Sequence, residues 1–308
     1  VFLKLVKEAD VVVENYRPGV ADRLGIGYDV LKQVNPRLIY TALSAWGQTG
    51  PYSEKPGFDP LMQAIGGVMA GQGGSAASPV FSKVAVSDYA ASFLGAYGTA
   101  VALFVREKTG IGQRVDSNLL NAVIAIQAGG FIRSDDASKL VTSKPVPYQL
   151  FRTADCWIFV ACGNHTFWVN FCKALQIEAF IDDPRFVTVD ARNDNKEELL
   201  GILQELLLTN STDEWVRVLQ EQDVPCAPVK ELDQLFDDPQ VIHNDMVVEY
   251  DHPVVGKMRQ MGIPIKLSET PGRIFGPPPA LDQHTIEVLT ELGYSPENIE
   301  ALRRKKVV

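Results

Sequence analysis

The residue whose type and setting most invite chemistry is Asp88, in "KVAVSDYAASFLGAYG" (83–98), where Ser87 and Asp88 interrupt the passage from an apolar run into a small-residue helix. A carboxylate at a helix start serves as an N-cap by accepting a backbone N–H. The same setting suits a nucleophile, because the helix N-terminus favours an anion and offers N–H groups to an oxyanion formed beside it. Position alone leaves both readings open. An arginine-bearing turn, "ENYRPGVADRLG" (14–25), and carboxylates near glycine-rich turns complete the set.

Other chemistries lack their residues. Cys156, Cys162, Cys172 and Cys226 show no CxxC spacing, and His165, His243, His252 and His284 form no HxxxH or His/Cys pair at metal-ligand spacing. Reduced thiols, a cytoplasmic location and no metal are therefore expected, with a mitochondrial location the alternative in a eukaryote. No GxGxxG opens a helix after a strand, "GQGG" at 71–74 being too short, and neither a GxSxG elbow nor a Walker loop is present. The formal net charge of -9 argues against nucleic acid as a partner. No apolar run approaches the length of a membrane span, so no membrane partner is expected.

Elements must position these side chains. With 308 residues, 46% of them hydrophobic, two domains with sizeable cores are expected. "VFLKLVKEA" reads as a helix end, "DVVVEN" as a buried strand, 20–34 as a helix stopped before Asn35-Pro36, and "RLIYTALSAW" as a second buried strand. This β-α-β rhythm predicts a doubly wound parallel sheet. A short helix in "GFDPLMQAIGG" and a long one from Tyr89 to the Gly110 stop follow, then a strand at "GQRVDS" and a helix over 118–132.

Polar residues and prolines over 135–147 read as a linker. Beyond it, "YQLFRTADCWIFVACGN" predicts a hairpin, with amphipathic helices over 166–175, 196–209 and 212–222, further strands in "VVEYDHPVVGKMRQMG", and a final helix at "LDQHTIEVLTELG". The domains expected are a large one over 1–147, a small α+β one over 148–262, and a segment over 263–308 returning to the first. Asp116 and Asn121 are expected to cap or bond internally, Trp157 and Trp168 to pack, and His284 to have no chemical role.

Several ordered blocks together carry a resemblance. "VVVENYRPGVADRLGIGYDVLKQVNPRLIYTALSAWGQTGPYSEKPGFD", "VAVSDYAAS", "KTGIGQRVDSNLLNA", "PYQLFRTAD", "CGNHTFW" and "LDQHTIEVLTELGYSPENIEALRRKKVV" resemble the family III CoA-transferases, or CaiB/BaiF family, nearest the succinate–hydroxymethylglutarate branch. The resemblance implies a Rossmann-like large domain, a smaller domain, and two chains interlocked as a homodimer, with the first β-α unit of the family lying before this chain. It implies that Asp88 is the nucleophile and carries CoA as an aspartyl thioester during transfer from an acyl-CoA to a carboxylic acid, a short dicarboxylate here. Coenzyme A is then a substrate and no cofactor is required. By the same resemblance Asn15, Tyr16, Arg17 and Arg23 bind CoA, while Gly57, Phe58, Asp59, Gly163 and Asn164 face substrate. The superfamily's racemases have histidine where this chain has Phe58, which removes a second base. The oxalate-specific members carry a glycine run absent from "TSKPVPYQ" (142–149). A racemase-like isomerase and a non-catalytic acyl-CoA-binding relative remain the alternatives.

Overall fold

Alternation of side chains along a short parallel sheet explains the first unit. The computed structural model describes residues 1–72, 78–135 and 145–308. Strands β1 (Val11–Glu14), β2 (Ile39–Ser44) and β3 (Arg114–Asn118) pair in parallel in the order β1-β2-β3, with Val12 opposite Tyr40 and Thr41 opposite Val115. β2, central among the described residues, is nearly all buried, as expected of a strand covered on both faces.

One face meets helices α1 (Phe2–Glu8) and α3 (Tyr28–Val34): Val6, Leu31, Leu38, Tyr40 and Ala42 form one buried cluster. The Asn35 amide closes that layer by donating to the carbonyls of Val6 and Ala9 at 3.1 and 2.9 Å. The region expected as one helix over 20–34 is two, α2 (Val20–Arg23) and α3, because Gly25 takes a left-handed conformation at φ 73° between them.

The other face meets α6 (Val86–Thr109), after α4 (Asp59–Ile65) and α5 (Val68–Gln72). Ala91, Gly95, Ala102 and Arg106 are the buried stripe of α6, at helical spacing. The backbone approaches closely there: a Cβ on Gly95 would lie 3.1 Å from Leu43 Cδ2, and Thr99 Oγ1 meets Thr41 Oγ1 at 2.6 Å. At the far end Arg106 pairs with Asp10 at 2.9 Å beside the strand starts, so α6 runs antiparallel to the sheet and begins beside the strand C-termini. Gly110, left-handed at φ 75°, ends it as expected. By length and composition α6 also meets the requirement of a membrane span, where no apolar run of that length is expected from the sequence; its stripe against the sheet includes a buried arginine.

Helix α7 (Leu119–Ala125) follows β3 and is shorter than the 118–132 expected; Asn118, not Asn121, caps it by accepting the Asn121 N–H at 2.8 Å. Asp116 pairs with Arg114 at 2.8 Å. The linker expected over 135–147 lies mostly outside the described residues, as do Gly73 and Gly74 of "GQGG" and residues 142–144 of "TSKPVPYQ".

The chain divides into two compact units, Val1–Arg133 with Pro279–Val308, and Ser134–Pro278. The first therefore regains the C-terminal segment at 279, where 263 is expected: residues 263–278 stay in the second unit because Ile263, Ile265 and Ile274 border a common hollow with Val248.

In the second unit β4 (Tyr148–Arg152) and β5 (Trp157–Ala161) form the expected antiparallel hairpin, extended by β6 (Cys226–Pro228). Helices α8 (His165–Ala174), α9 (Val189–Asp194), α10 (Lys196–Leu207) and α11 (Thr212–Glu221) accompany it, with Trp168, Phe171, Phe186, Leu203 and Leu219 buried in the core. Trp168 packs as expected, whereas Trp157 is 40% exposed beneath the Arg152 guanidinium. Arg192 is fully buried; its guanidinium lies over Trp168 and donates to the carbonyls of Val146 and Phe186 at 2.7 and 2.8 Å. After α12 (Pro239–His243), β7 (Val247–His252) and β8 (Gly256–Met261) form a separate hairpin. Back in the first unit, α13 (Thr285–Glu291) and α14 (Pro296–Arg304) end the chain; His284 pairs with Glu287 at 3.2 Å at the start of α13.

Candidate active site

Loops leaving the C-terminal ends of parallel strands carry the ligand site in open α/β sheets. Here a cavity of about 400 Å³ opens at those ends, lined by Asn15, Tyr16 and Arg17 after β1, Ser44 to Trp46 at the end of β2, Leu119 after β3, and Asp88 from α6. Ser53, Lys55, Gly57 and Phe58, from the loop before α4, close another side. Asp88 is the acidic residue of this lining, and Arg17 and Lys55 are its cations.

Fully buried Ser87 continues the sheet-facing stripe of α6 toward its N-terminus, and Asp88, the next residue, is turned to the cavity at the strand ends. It is not a cap: α6 is capped at Ala85 without a side-chain bond, and Asp88 is the third helical residue. The cap's work falls to Asp59. Its Oδ1 accepts the Ser87 N–H at 2.8 Å and the Ser87 hydroxyl at 2.6 Å, and its Oδ2 accepts Gln63 Nε2 at 2.6 Å. Partial burial, and then the charge of Asp59 beneath it, push the Asp88 carboxyl above the usual aspartate range.

Close packing shapes the remaining wall. A Cβ on Gly57 would stand 2.1 Å from Ala45 Cβ, so only glycine lets this loop lie against the end of β2. Trp46 donates to the Pro56 carbonyl at 3.2 Å and meets Tyr52 edge to face, with Lys55 Nζ 3.9 Å from the Tyr52 ring centroid. On the β1 side Glu14 accepts the Tyr16 N–H at 2.7 Å, which fixes the turn that presents Tyr16 and Arg17.

Of the expected residues, the structure gathers Asn15, Tyr16, Arg17, Gly57, Phe58 and Asp88 around one cavity. Asp59 is buried below the wall instead of lining it, and Arg23 is exposed on α2, its guanidinium beside Gly19. Gly163 and Asn164 belong to the second unit, where Asn164 caps α8 by accepting the Phe167 N–H at 2.9 Å. Ser53, Lys55 and Gln63 were not singled out from the sequence. Lys55 in "PYSEKPG" is a lone cation between prolines, and Gln63 stands one helical turn from Asp59 on a buried face, which are the signals available for them.

The chain matches CoA-transferase family III over residues 1–285. It belongs to that family. A succinyl-CoA:glutarate CoA-transferase of Homo sapiens is 36% identical over 94% of this chain and 68% of its own length. A succinyl-CoA–D-citramalate CoA-transferase of Chloroflexus aurantiacus is 30% identical over 99% of this chain and 78% of its own. The crystal structure of a CaiB/BaiF family protein from Brucella suis superposes with a TM-score of 0.81 at 30% identity, covering 94% of this chain and 77% of that one. The protein is thus an enzyme of the CoA-transferase class with the α/β fold of family III.

Proposed function

We propose that this CoA-transferase moves CoA from an acyl-CoA to a short dicarboxylic acid by way of a thioester on Asp88. The observation that carries the reading is the placement of Asp88 in the first turn of α6, inside the cavity at the strand C-termini. The dicarboxylate is supported by the acids named for two relatives, glutarate and citramalate, and by the cation Lys55 in the same lining.

In the proposed cycle the Asp88 carboxylate attacks the thioester carbonyl, and the C–S bond breaks to give a mixed anhydride and CoA thiolate. The thiolate then attacks the aspartyl carbonyl, releasing the donor acid and leaving Asp88 as its CoA thioester. The acceptor carboxylate attacks that thioester, forming a second anhydride and expelling thiolate. Attack of the thiolate on the acceptor's acyl carbon yields the new acyl-CoA and restores Asp88. Over each pair of steps one thioester replaces another and the expelled thiolate is taken up again, so the cycle is self-contained.

For CoA itself, Asn15, Tyr16 and Arg17 present polar groups at the mouth, with Arg17 and the exposed Arg23 as phosphate partners. A homodimer would complete the enzyme, as the exposed apolar face of α6 suggests.

Mass spectrometry of the peptide carrying Asp88, after incubation with succinyl-CoA, tests the reading. A CoA adduct on Asp88, absent from Asp88→Ala and discharged by added glutarate, is expected. CoA binding without any adduct would refute it.

A further inference from the structure

The resemblance implies that Asp59 faces substrate, yet the residue is 6% exposed and both carboxylate oxygens are already engaged. We propose that Asp59 is a positioning residue, whose carboxylate, clamped between Gln63 and Ser87, fixes the first turn of α6 and thereby sets where the Asp88 carboxylate stands. The inference rests on the reading of Asp88 as the CoA carrier.

The geometry is a closed, buried network. Gln63 is fully buried, and its Nε2 is shared among Asp59 Oδ2 at 2.6 Å, the Ser82 carbonyl at 3.1 Å and the Val84 carbonyl at 3.2 Å. Its Oε1 accepts the Ser82 N–H at 3.2 Å. Gln63 therefore grips the segment that enters α6, while Asp59 grips the helix itself through both donors of Ser87, also fully buried. Asp88 is the next residue in the chain. Any shift of α4 is transmitted to the nucleophile through these bonds, and a displacement of about 1 Å at a reacting group costs roughly a hundredfold in rate.

An anion at this depth is tolerated because three donors converge on it. Besides holding the turn, the carboxylate acts on Asp88 through its charge. The charged and titratable groups facing Asp88 are Asp59 from α4 below, Tyr16 and Arg17 after β1, and Lys55 from the loop before α4. Asp59 is the anion among them, so it opposes ionisation of Asp88 and makes the carboxylate more basic. A more basic carboxylate is the better nucleophile toward a thioester.

The experiment measures the rate constant of Asp88 adduct formation with succinyl-CoA, against concentration and pH, for the unsubstituted protein, Asp59→Asn and Gln63→Leu. Asp59→Asn keeps an acceptor for Ser87 but removes the charge. Its maximal rate constant is expected to fall about tenfold or more, its half-saturating concentration to stay unchanged, and its acid limb to move to lower pH. Gln63→Leu keeps the charge but frees 82–84, so its rate constant falls while the acid limb stays in place. Circular dichroism establishes folding, and either variant alone can decide the question. A raised half-saturating concentration with an intact rate constant would show direct substrate contact and overturn the proposal, as would unchanged rates and limbs in both variants. No adduct in the unsubstituted protein is a separate result, which refutes Asp88 as carrier before Asp59 is at issue.

Discussion

At the scale of the residue, Asp88 stands beside the packed stripe of α6 and outside it. Ser87, fully buried, continues the stripe of Ala91, Gly95, Ala102 and Arg106, while Asp88, the next residue, lines the cavity at the strand ends. The carboxylate is therefore explained by the cavity it faces. Replacement by the isosteric amide separates chemistry from folding. Asp88→Asn removes the nucleophile and is expected to lower transfer by about 10³-fold or more, measured as acyl-CoA formed from succinyl-CoA and glutarate. The stability change has the opposite sign to that of a paired carboxylate. Because the Asp88 carboxyl is shifted upward in the folded state, the folded chain binds its proton more readily than the unfolded chain. Ionised Asp88 thus disfavours the fold above that shifted value, and the penalty fades as pH falls through it. Thermal melts at neutral pH should place Asp88→Asn at or above the unsubstituted protein, with the gap closing on acidification. A large loss of melting temperature at neutral pH would contradict this account of its environment.

At the scale of the element, the site depends on how β3 enters the sheet. Gly112 donates its N–H to the Pro36 carbonyl at 2.9 Å, and the next residue's carbonyl accepts the Tyr40 N–H at 3.0 Å, so two connections are pressed together at the strand starts. A Cβ on Gly112 would lie 2.1 Å from the Leu38 carbonyl oxygen, a backbone atom that no rotamer change can move. Gly112→Ala is expected to destabilise the first unit by about 1–3 kcal/mol, read as a lowered denaturation midpoint with near-normal activity in what remains folded. Much of this frame was legible in the sequence. "DVVVEN" and "RLIYTALSAW" announce buried parallel strands, "NP" and Gly110 mark helix ends, and the alternation of "YQLFRTADCWIFVA" announces a hairpin. Less was legible where distant partners decide the outcome. Gly25 breaks the expected 20–34 helix because the chain must turn between α2 and α3. β6 pairs with β5 across more than sixty residues, and three residues give no periodicity to read. The resemblance implies a substrate-facing role for Asp59; its partners Ser82, Val84 and Ser87, reached through Gln63 or directly, lie more than eighteen positions on.

At the scale of the whole molecule, α6 carries two faces with different destinations. The stripe through Ala91 and Gly95 is satisfied by the sheet, while Tyr89, Phe93, Tyr97 and Phe104 form an opposite face that is 59%, 69%, 70% and 62% exposed. Four aromatic side chains on one helical face, in a helix whose other side is already packed, leave more apolar surface in water than a solitary chain ordinarily tolerates. Phe58, itself 67% exposed, stands at the cavity wall. A lipid surface would cover the aromatic face equally, but α6 carries Asp88 in its first turn and Arg106, Glu107 and Lys108 near its end, and its inner stripe is committed to the sheet. A second copy of this chain is therefore the proposed cover. Phe93→Glu puts a charge at the middle of the exposed face and leaves the protomer's core untouched. Sedimentation velocity should show the unsubstituted protein as a dimer at micromolar concentration and the variant as a folded monomer. Transfer activity should fall with it if the second protomer completes the enzyme. Sedimentation of the unsubstituted protein as a monomer without detergent would refute the dimer, and a variant that still dimerises would move the interface off this face of α6.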